Sequence, residues 1–196
     1  MEKGRAGLAK VTSAGDCKIL TEISKQDAKV VGGRLSSVEQ LRAWDSKAVA
    51  EVVEYRGETT VVVPRELLRA TAARCRDEMQ FNLLTDATCL DRHPFEPRFE
   101  VVYQLVAITR PEKLRLKVRL SGKDATIDSL VPVWPGANWL EREIFDLFGI
   151  HFNGHPDLRR IVLPDDWEGY PLRRDYPVEG FRDIPVMPLG FTKRSV

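Results

Sequence analysis

The chain has 196 residues, and its 30 basic and 29 acidic side chains leave a formal net charge of +1. This balance argues against nucleic acid as a partner, because there is no global positive field to attract a polyanion. Hydrophobic residues make up 43% and charged residues 30%, which is typical of a globular rather than a disordered protein. No apolar run approaches the roughly 20 residues that span a bilayer, so an integral membrane protein is excluded and peripheral association stays open.

The three cysteines, Cys17, Cys75 and Cys89, are odd in number and widely spaced. This spacing fits neither a disulfide framework nor a C-x-x-C metal pair, and it is typical of buried or idle thiols in a reducing compartment. An iron–sulfur cluster takes about four thiolates, so the chain is not expected to hold one alone. There is also no P-loop, G-x-G-x-x-G or G-x-S-x-G motif to indicate nucleotide binding or serine hydrolase chemistry.

Residues 1–35 show no sustained hydrophobic period and are predicted to form a weakly ordered N-terminal extension. A core domain is predicted over residues 36–150. Its first helix starts from an N-cap at Ser36-Ser37, and a tight turn at Arg56-Gly57 then joins two strands, residues 48–55 and 59–63. Pro64 is expected at the first position of a second helix. Four apolar residues recur on that helix at helical spacing: Leu68, Ala72, Cys75 and Met79.

Three further segments, residues 81–90, 99–108 and 113–120, are predicted to be strands. With the helices they predict an α+β fold, in which a mixed or antiparallel sheet has helices packed on one face. The last strand alternates most clearly, and its polar face carries four cations: Lys113, Arg115, Lys117 and Arg119. Such a row could bind phosphates. Near-zero net charge and the lack of interleaved aromatics favour a solvated face, or an edge strand protected by charge.

A short helix is expected at residues 126–130, followed by a longer one with Asn138 as its N-cap. Glu141 lies three residues after Asn138, as in a capping box. Arg142 and Asp146 are four residues apart, so they are expected to pair on the outer side of the helix.

After Gly149, which supplies the left-handed residue that ends this helix, six of the 12 prolines fall in the last 46 residues. Proline at this density is incompatible with a helix bundle or a central strand, yet the segment carries more large apolar side chains than a free tail would. Residues 151–196 are therefore predicted to form an extended, proline-rich C-terminal strap that lies on a surface. That surface could be the chain's own sheet, but one small domain offers limited area, which favours partner proteins.

Two kinds of site compete for the polar residues of this region. A metal or acid–base site would use four of them: Glu141, Asp146, His151 and His155. The spacing does not match H-E-x-x-H, so a free-standing metal-dependent enzyme is the weaker alternative, and His155 is expected in a turn where a backbone group satisfies its imidazole. The paired arginines at 159–160 and 173–174 instead suit bidentate docking onto carboxylates of a neighbouring subunit, with Trp167 and Tyr176 as anchors.

Four stretches carry a recognisable signature: residues 141–150 (EREIFDLFGI), 152–161 (FNGHPDLRRI), 164–167 (PDDW) and 169–177 (GYPLRRDYP). They resemble the signature of the 30 kDa subunit family of respiratory complex I, the NADH-quinone oxidoreductase, whose bacterial members form its C-type subunit. The signature runs for about 37 residues. Residues 36–136 agree with the family in the order of elements but are less specific.

The resemblance implies a non-catalytic structural and assembly subunit of the hydrophilic arm, peripheral on the cytoplasmic side of the bacterial inner (plasma) membrane and attached through the complex. It implies docking against the quinone-site subunit, which is of the D type, and against iron–sulfur subunits of the B and I types. No cofactor is expected on this chain, since FMN, iron–sulfur clusters and quinone are held by partner subunits. Because the chain ends soon after the signature, we expect the form that is not fused to the D-type subunit.

The predicted subunit interface consists of ten signature residues: Glu141, Arg142, His155, Arg159, Arg160, Trp167, Arg173, Arg174, Asp175 and Tyr176. The same signature occurs in quinone reductases fed by ferredoxin or deazaflavin and in membrane-bound hydrogenases. The equivalent subunit of such an assembly is therefore the alternative interpretation.

Overall fold

The computed structural model describes residues 36–110 and 112–178. Its helices and strands follow in this order: α1 (Ser37–Trp44), β1 (Glu51–Tyr55), β2 (Glu58–Val62), α2 (Leu68–Asp77), β3 (Leu83–Asp91), β4 (Phe99–Ala107), β5 (Glu112–Leu120), β6 (Thr126–Asp128), α3 (Ala137–Phe148) and β7 (His151–Asn153). Within these ranges, no helix combines the length and apolar composition needed to cross a membrane. The predicted N-terminal extension and the last 18 residues of the strap lie outside the described residues.

Local signals determine the first helix and the first hairpin. The Ser36 hydroxyl accepts a hydrogen bond from the backbone N–H of Glu39, and the Glu39 carboxylate accepts one from the backbone N–H of Ser36, so the predicted N-cap is confirmed as a capping box. Between β1 and β2, Arg56 and Gly57 both have positive φ angles, +51° and +78°. That conformation matches the right-handed twist of the flanking strands, which is why this turn makes a tight hairpin.

The five long strands form one mixed sheet in the order β1-β2-β5-β4-β3, with only the β2–β5 pair parallel. This confirms the predicted α+β class. Alternate residues of β4 and β5 are buried on the face that the helices cover. The core contains these strand residues: Phe99, Val101, Tyr103, Leu105, Leu114, Leu116, Val118 and Leu120. It also contains the stripe predicted for the second helix, although Pro64 precedes a 3-10 turn at Arg65–Leu67 before α2 begins.

The opposite face of the sheet carries charges that are compensated across strands. Because β5 is the central strand, the idea of a charged edge strand is wrong. Three of its cations pair with acidic residues on other strands: Arg115 with Glu58 at 2.5 Å, Lys117 with Glu100 at 2.9 Å and Arg119 with Glu51 at 2.8 Å. Burial alone would raise the pKa of Glu100, but its bond from Lys117 and the nearby arginines outweigh this effect and lower it.

The short helix expected at residues 126–130 is wrong. Residues Thr126–Asp128 form β6 instead, which pairs in parallel with β7. Ile127 and Phe152 face each other in this pair, and both are 1% exposed, so burial in the core overrides the local pattern. The first three residues of the predicted strap therefore form a strand against the core.

The N-cap of α3 lies two residues before the predicted one, and the expected capping box is wrong. Gly136 is the N-cap, and no side chain caps the helix. Glu141 is turned into the core, where it accepts hydrogen bonds from the Ser129 hydroxyl at 2.6 Å and the Leu130 N–H at 2.7 Å. The other end agrees with the sequence, since Gly149 closes the helix at φ +72°.

Candidate subunit interface

The described part of the strap lies against α3 and the loop between β3 and β4. Two buried carboxylates hold it there, and each belongs to the core domain rather than to the strap. Asp146 lies on α3, and Asp91 is the last residue of β3. Their side chains are 0% and 2% exposed.

Asp146 collects four donors from one short stretch of the strap. Its Oδ2 accepts the backbone N–H groups of Ile161, Val162 and Leu163 at 3.0, 2.8 and 2.8 Å. Its Oδ1 accepts from Arg160 Nη1 at 2.6 Å. Burial alone would raise the pKa of this carboxyl, but the strap N–H groups and the guanidinium outweigh burial and lower it. The charged carboxylate therefore fixes the shape of the chain at residues 160–163.

The predicted ion pair between Arg142 and Asp146 is wrong. Arg142 instead donates from Nε to the Arg159 carbonyl and from Nη2 to the Arg160 carbonyl, each at 3.2 Å. Both side chains lie in the contact between helix and strap, so neither is on an outer face: Arg142 is 7% and Asp146 0% exposed. The i, i+4 rule describes isolated helices, and here a passing backbone segment supplies better partners to each residue.

Two arginines of the signature join the strap to itself and to the end of α3. Arg160 also donates to the carbonyls of Trp167 and Gly169, and it stacks 5.6 Å from the Tyr170 ring. Arg173 donates to the Phe148 carbonyl at 2.6 Å and stacks on the ring of Tyr170 at 4.6 Å. Capping a helix C-terminus with a cation also favours the helix dipole.

Gly149 is where the strap comes closest to the core. A Cβ on this residue would lie 2.5 Å from Cε2 of Tyr170 and 2.6 Å from Nη2 of Arg173. From the sequence, this glycine is explained by the left-handed backbone conformation that ends the helix. The structure adds a second reason, which is the absence of space for a side chain.

The second anchor is a bridge of two carboxylates through one guanidinium. Arg98 donates to both oxygens of Asp91, at 2.9 and 2.8 Å, and to both oxygens of Asp175, at 3.0 and 2.5 Å. The backbone N–H of Arg174 donates to Asp91 at 2.9 Å. Burial alone would raise the pKa of Asp91, but Arg98 and the two backbone N–H groups, those of Arg174 and His93, lower it well below its usual range.

Two of the predicted interface residues have clear roles inside the chain. Glu141 is 0% exposed, and burial raises its pKa to about 7 against the opposing effect of its two hydrogen bonds. His155 contacts the Asn138 carbonyl through Nε2 at 3.3 Å and accepts at Nδ1 from the Asp157 N–H, which confirms the predicted turn. Burial lowers the pKa of His155, and the nearby charge of Arg142 adds to this effect.

The remaining predicted interface residues lie nearer the surface. Arg159 is 70% exposed and pairs with Asp157 at 2.9 Å, and the Arg174 side chain is exposed. Tyr176 is half-buried and donates its hydroxyl to the Glu168 carbonyl at 3.2 Å. Trp167 is half-buried, and its indole N–H is buried without a partner among the described residues.

A family model described as "Respiratory-chain NADH dehydrogenase, 30 Kd subunit" matches residues 61–182, which include most of the sheet, α3 and both anchors. The chain belongs to this subunit family. The C subunit of NADH-quinone oxidoreductase from Geotalea uraniireducens is 46% identical over 144 residues, covering 74% of this chain and 88% of that protein. The same subunit from Brucella abortus is 42% identical over 154 residues, covering 78% of this chain and 75% of that protein.

Two solved structures share this fold. A trypsin-resistant fragment of Nqo5, residues 1–134, is 35% identical with a TM-score of 0.55, and the match covers 62% of this chain and 96% of the fragment. A chain of an archaeal membrane-bound sulfane sulfur reductase is 25% identical with a TM-score of 0.63, covering 72% of this chain and 84% of that one. The fold of this subunit family therefore also occurs in another respiratory membrane complex.

The fold does not bring the alternative catalytic residues together. Glu141 faces Ser129 in the core, Asp146 holds the strap, and His155 contacts the Asn138 carbonyl. In the part of the chain that the structure describes, no three His, Cys, Asp or Glu side chains form a group suited to a metal ion. The described thiols, Cys75 and Cys89, are buried, and burial raises the pKa of each to about 12.

Sequence reasoning missed Asp91 and Arg98, and it assigned Asp146 to the wrong partner. Nothing local distinguishes Asp91 from any loop aspartate, because two of its three partners, Arg98 and Arg174, lie 7 and 83 residues away in the chain. One signal was available for Asp146: an acidic residue flanked by Phe145 and Leu147 in an apolar helix is costly to bury unless it has cationic partners. The paired arginines of the family signature are the obvious candidates.

Proposed function

We propose that the chain is a non-catalytic structural and assembly subunit of a proton-translocating NADH:quinone oxidoreductase. The observation that carries this proposal is the family match over residues 61–182, which spans most of the core and all of the described strap without a break. Relatives of 42–46% identity, each named as the C subunit of NADH-quinone oxidoreductase, support it. The chain's part is to bind neighbouring subunits, and electron transfer belongs to the other chains of the assembly.

The partners in this proposal are the quinone-site subunit of the D type and iron–sulfur subunits of the B and I types. FMN, the clusters and quinone would be bound by those and other chains of the assembly and not by this one. Membrane attachment would be peripheral, through the complex, on the cytoplasmic side of the bacterial inner membrane. Among the ten predicted interface residues, Arg159, Arg174 and Asp175 have the exposure that direct contact with a partner needs.

Affinity purification of the tagged full chain from native membranes tests this function. We expect it to co-purify with NADH:quinone oxidoreductase activity and with chains that carry flavin and iron–sulfur absorbance. The chain expressed alone should show no visible absorbance and no stoichiometric iron or zinc. Stoichiometric metal on the isolated chain would instead favour the free-standing enzyme, and a tagged chain without co-purifying redox subunits would contradict the proposal.

A second candidate is the equivalent subunit of a related respiratory complex with another electron donor. The similarity to the archaeal sulfane sulfur reductase chain favours it, although the identity of 25% is well below the 46% shared with the relative from Geotalea uraniireducens. The two candidates differ in the donor that the purified assembly oxidises. Quinone reduction by NADH supports the first, and reduction by ferredoxin or reduced deazaflavin but not by NADH supports the second.

A further inference from the structure

An apolar patch lies where the strap passes along α3. It consists of Trp139, Ile161 and Val162, which are 62%, 39% and 59% exposed. Trp139 precedes Arg142 by three residues and Asp146 by seven, so these three residues share one face of the helix. Ile161 and Val162 are held to that same face by their N–H bonds to Asp146. The helix and the strap thus contribute large apolar side chains to one surface.

The backbone under this patch is fixed by internal contacts. Asp146 holds the backbone of residues 161–163, and Arg142 holds the carbonyls of residues 159 and 160. The patch therefore cannot turn inward without breaking contacts of a buried carboxylate. A surface that is already ordered loses less conformational entropy on binding, and exposed apolar side chains gathered on one face mark interaction sites.

Arg142 gives the patch a preference for a partner that carries a negative charge. Its guanidinium lies 5.2 Å from the centroid of the Trp139 ring, and the residue is only 7% exposed. The neighbouring Arg159 and Arg160 each pair with an aspartate. Among the residues that the structure describes, no carboxylate forms a salt bridge with Arg142. The carbonyls of residues 159 and 160 accept hydrogen bonds from this cation but do not neutralise its charge, so a carboxylate at the edge of the patch would complement it.

We infer that the apolar patch is a preformed docking site for a partner subunit that presents an apolar groove bordered by a carboxylate. This inference rests on the proposed function, because it names where on the chain one subunit of that assembly binds. All three patch residues fall within the family match at residues 61–182. The apolar groove receives Trp139, Ile161 and Val162, and the carboxylate compensates Arg142.

The first test replaces the patch in the full-length tagged chain, expressed in the source organism in place of the native copy. The double variant Trp139→Ser, Val162→Ser is compared with Val53→Ser, Tyr55→Ser, which removes similarly exposed apolar groups from β1. The readout is the fraction of the chain in the NADH-oxidising assembly on native gels. We expect at least a tenfold drop for the patch variant and less than a twofold change for the control.

Incorporation of the patch variant at the wild-type level would overturn the inference while leaving the proposed function intact. Equal losses for patch and control variants would overturn it as well, because the effect would then be general. A wild-type chain that is absent from any NADH-oxidising assembly would overturn the proposed function and, with it, this partner.

A labelling experiment covers the case in which the serine variant fails to fold. Val162→Cys is introduced in a Cys17→Ser background, leaving only the buried Cys75 and Cys89, and maleimide labelling is followed in the isolated chain and in the assembly. We expect labelling at residue 162 to slow at least tenfold on assembly, whereas a Val53→Cys control labels equally in both. Equal rates at residue 162 would overturn the inference. So would protection in the isolated chain that grows with its concentration, since a second copy would then occupy the patch.

Discussion

Replacing Asp146 with asparagine should release the strap from α3. The two oxygens of this carboxylate face opposite sets of donors: Oδ1 meets Arg160, and Oδ2 meets three backbone N–H groups. Asparagine has one carbonyl oxygen and one NH₂ group. In either orientation its NH₂ must face a donor, so the variant loses the charge and one side of the contact although its size is unchanged.

The size of the loss follows from burial. Asp146 is fully buried, and the side chain of Arg160 is 16% exposed. Breaking a buried ion pair from one side typically costs about 3–5 kcal/mol, because the remaining charge keeps its desolvation penalty. We expect a loss in that range, expressed first as local opening of residues 159–178 rather than unfolding of the sheet.

Limited trypsin digestion of the isolated chain measures this opening, with urea unfolding as the measure of global stability. Cleavage after Arg160 and Arg173 should accelerate strongly in Asp146→Asn. Asp157→Asn is the matched control, because the same substitution there breaks an exposed pair with Arg159 on the same strap. That pair should contribute only about 0–1 kcal/mol.

The reasoning would be refuted if Asp146→Asn and Asp157→Asn gave the same cleavage rates and the same unfolding free energy within about 1 kcal/mol. Such a result would mean that Asp146 does not hold the strap in solution.

Three further predictions concern the other buried groups. Because burial raises the pKa of Glu141 to about 7 from 4.5, its contribution to stability is fully present below about pH 4.5 and is lost as the pH rises through 7. This corresponds to about 3 kcal/mol, so the unfolding free energies of wild type and Glu141→Gln should diverge between pH 5 and 8, and parallel curves would contradict the shift. Gly149→Ala should speed tryptic cleavage after Arg173 and lower the unfolding free energy by at least about 1–2 kcal/mol. Gly154→Ala is the control, because its φ is also +72° but nothing lies within 4 Å of the added Cβ. It should therefore cost only the strain of alanine in a left-handed backbone conformation. Asp91→Asn should lower the urea midpoint several times more than Asp175→Asn, because both carboxylates bond Arg98 but only Asp91 is buried; equal midpoints would show that burial does not decide their contributions.

Local patterns of the sequence determined most of the core. The capping box at Ser36, the hairpin turn at Arg56-Gly57 and the alternation along β5 each depend on residues within a few positions of one another, and all three are present in the structure. The signature between residues 141 and 177 likewise identified the family, because that order of Arg, Trp, Gly and Pro is specific even without knowledge of the contacts.

Only the tertiary structure decided where the charged residues of the signature point. Asp146 turns to the strap and not to Arg142, Glu141 turns to the core and not to a cap, and Asp91 reaches a residue 83 positions away. Residues 126–128 become a strand because Phe152 is there to pair with Ile127. In each case, a buried polar or apolar group takes the partner that packing brings to it, and the distance along the chain contains no information about that partner.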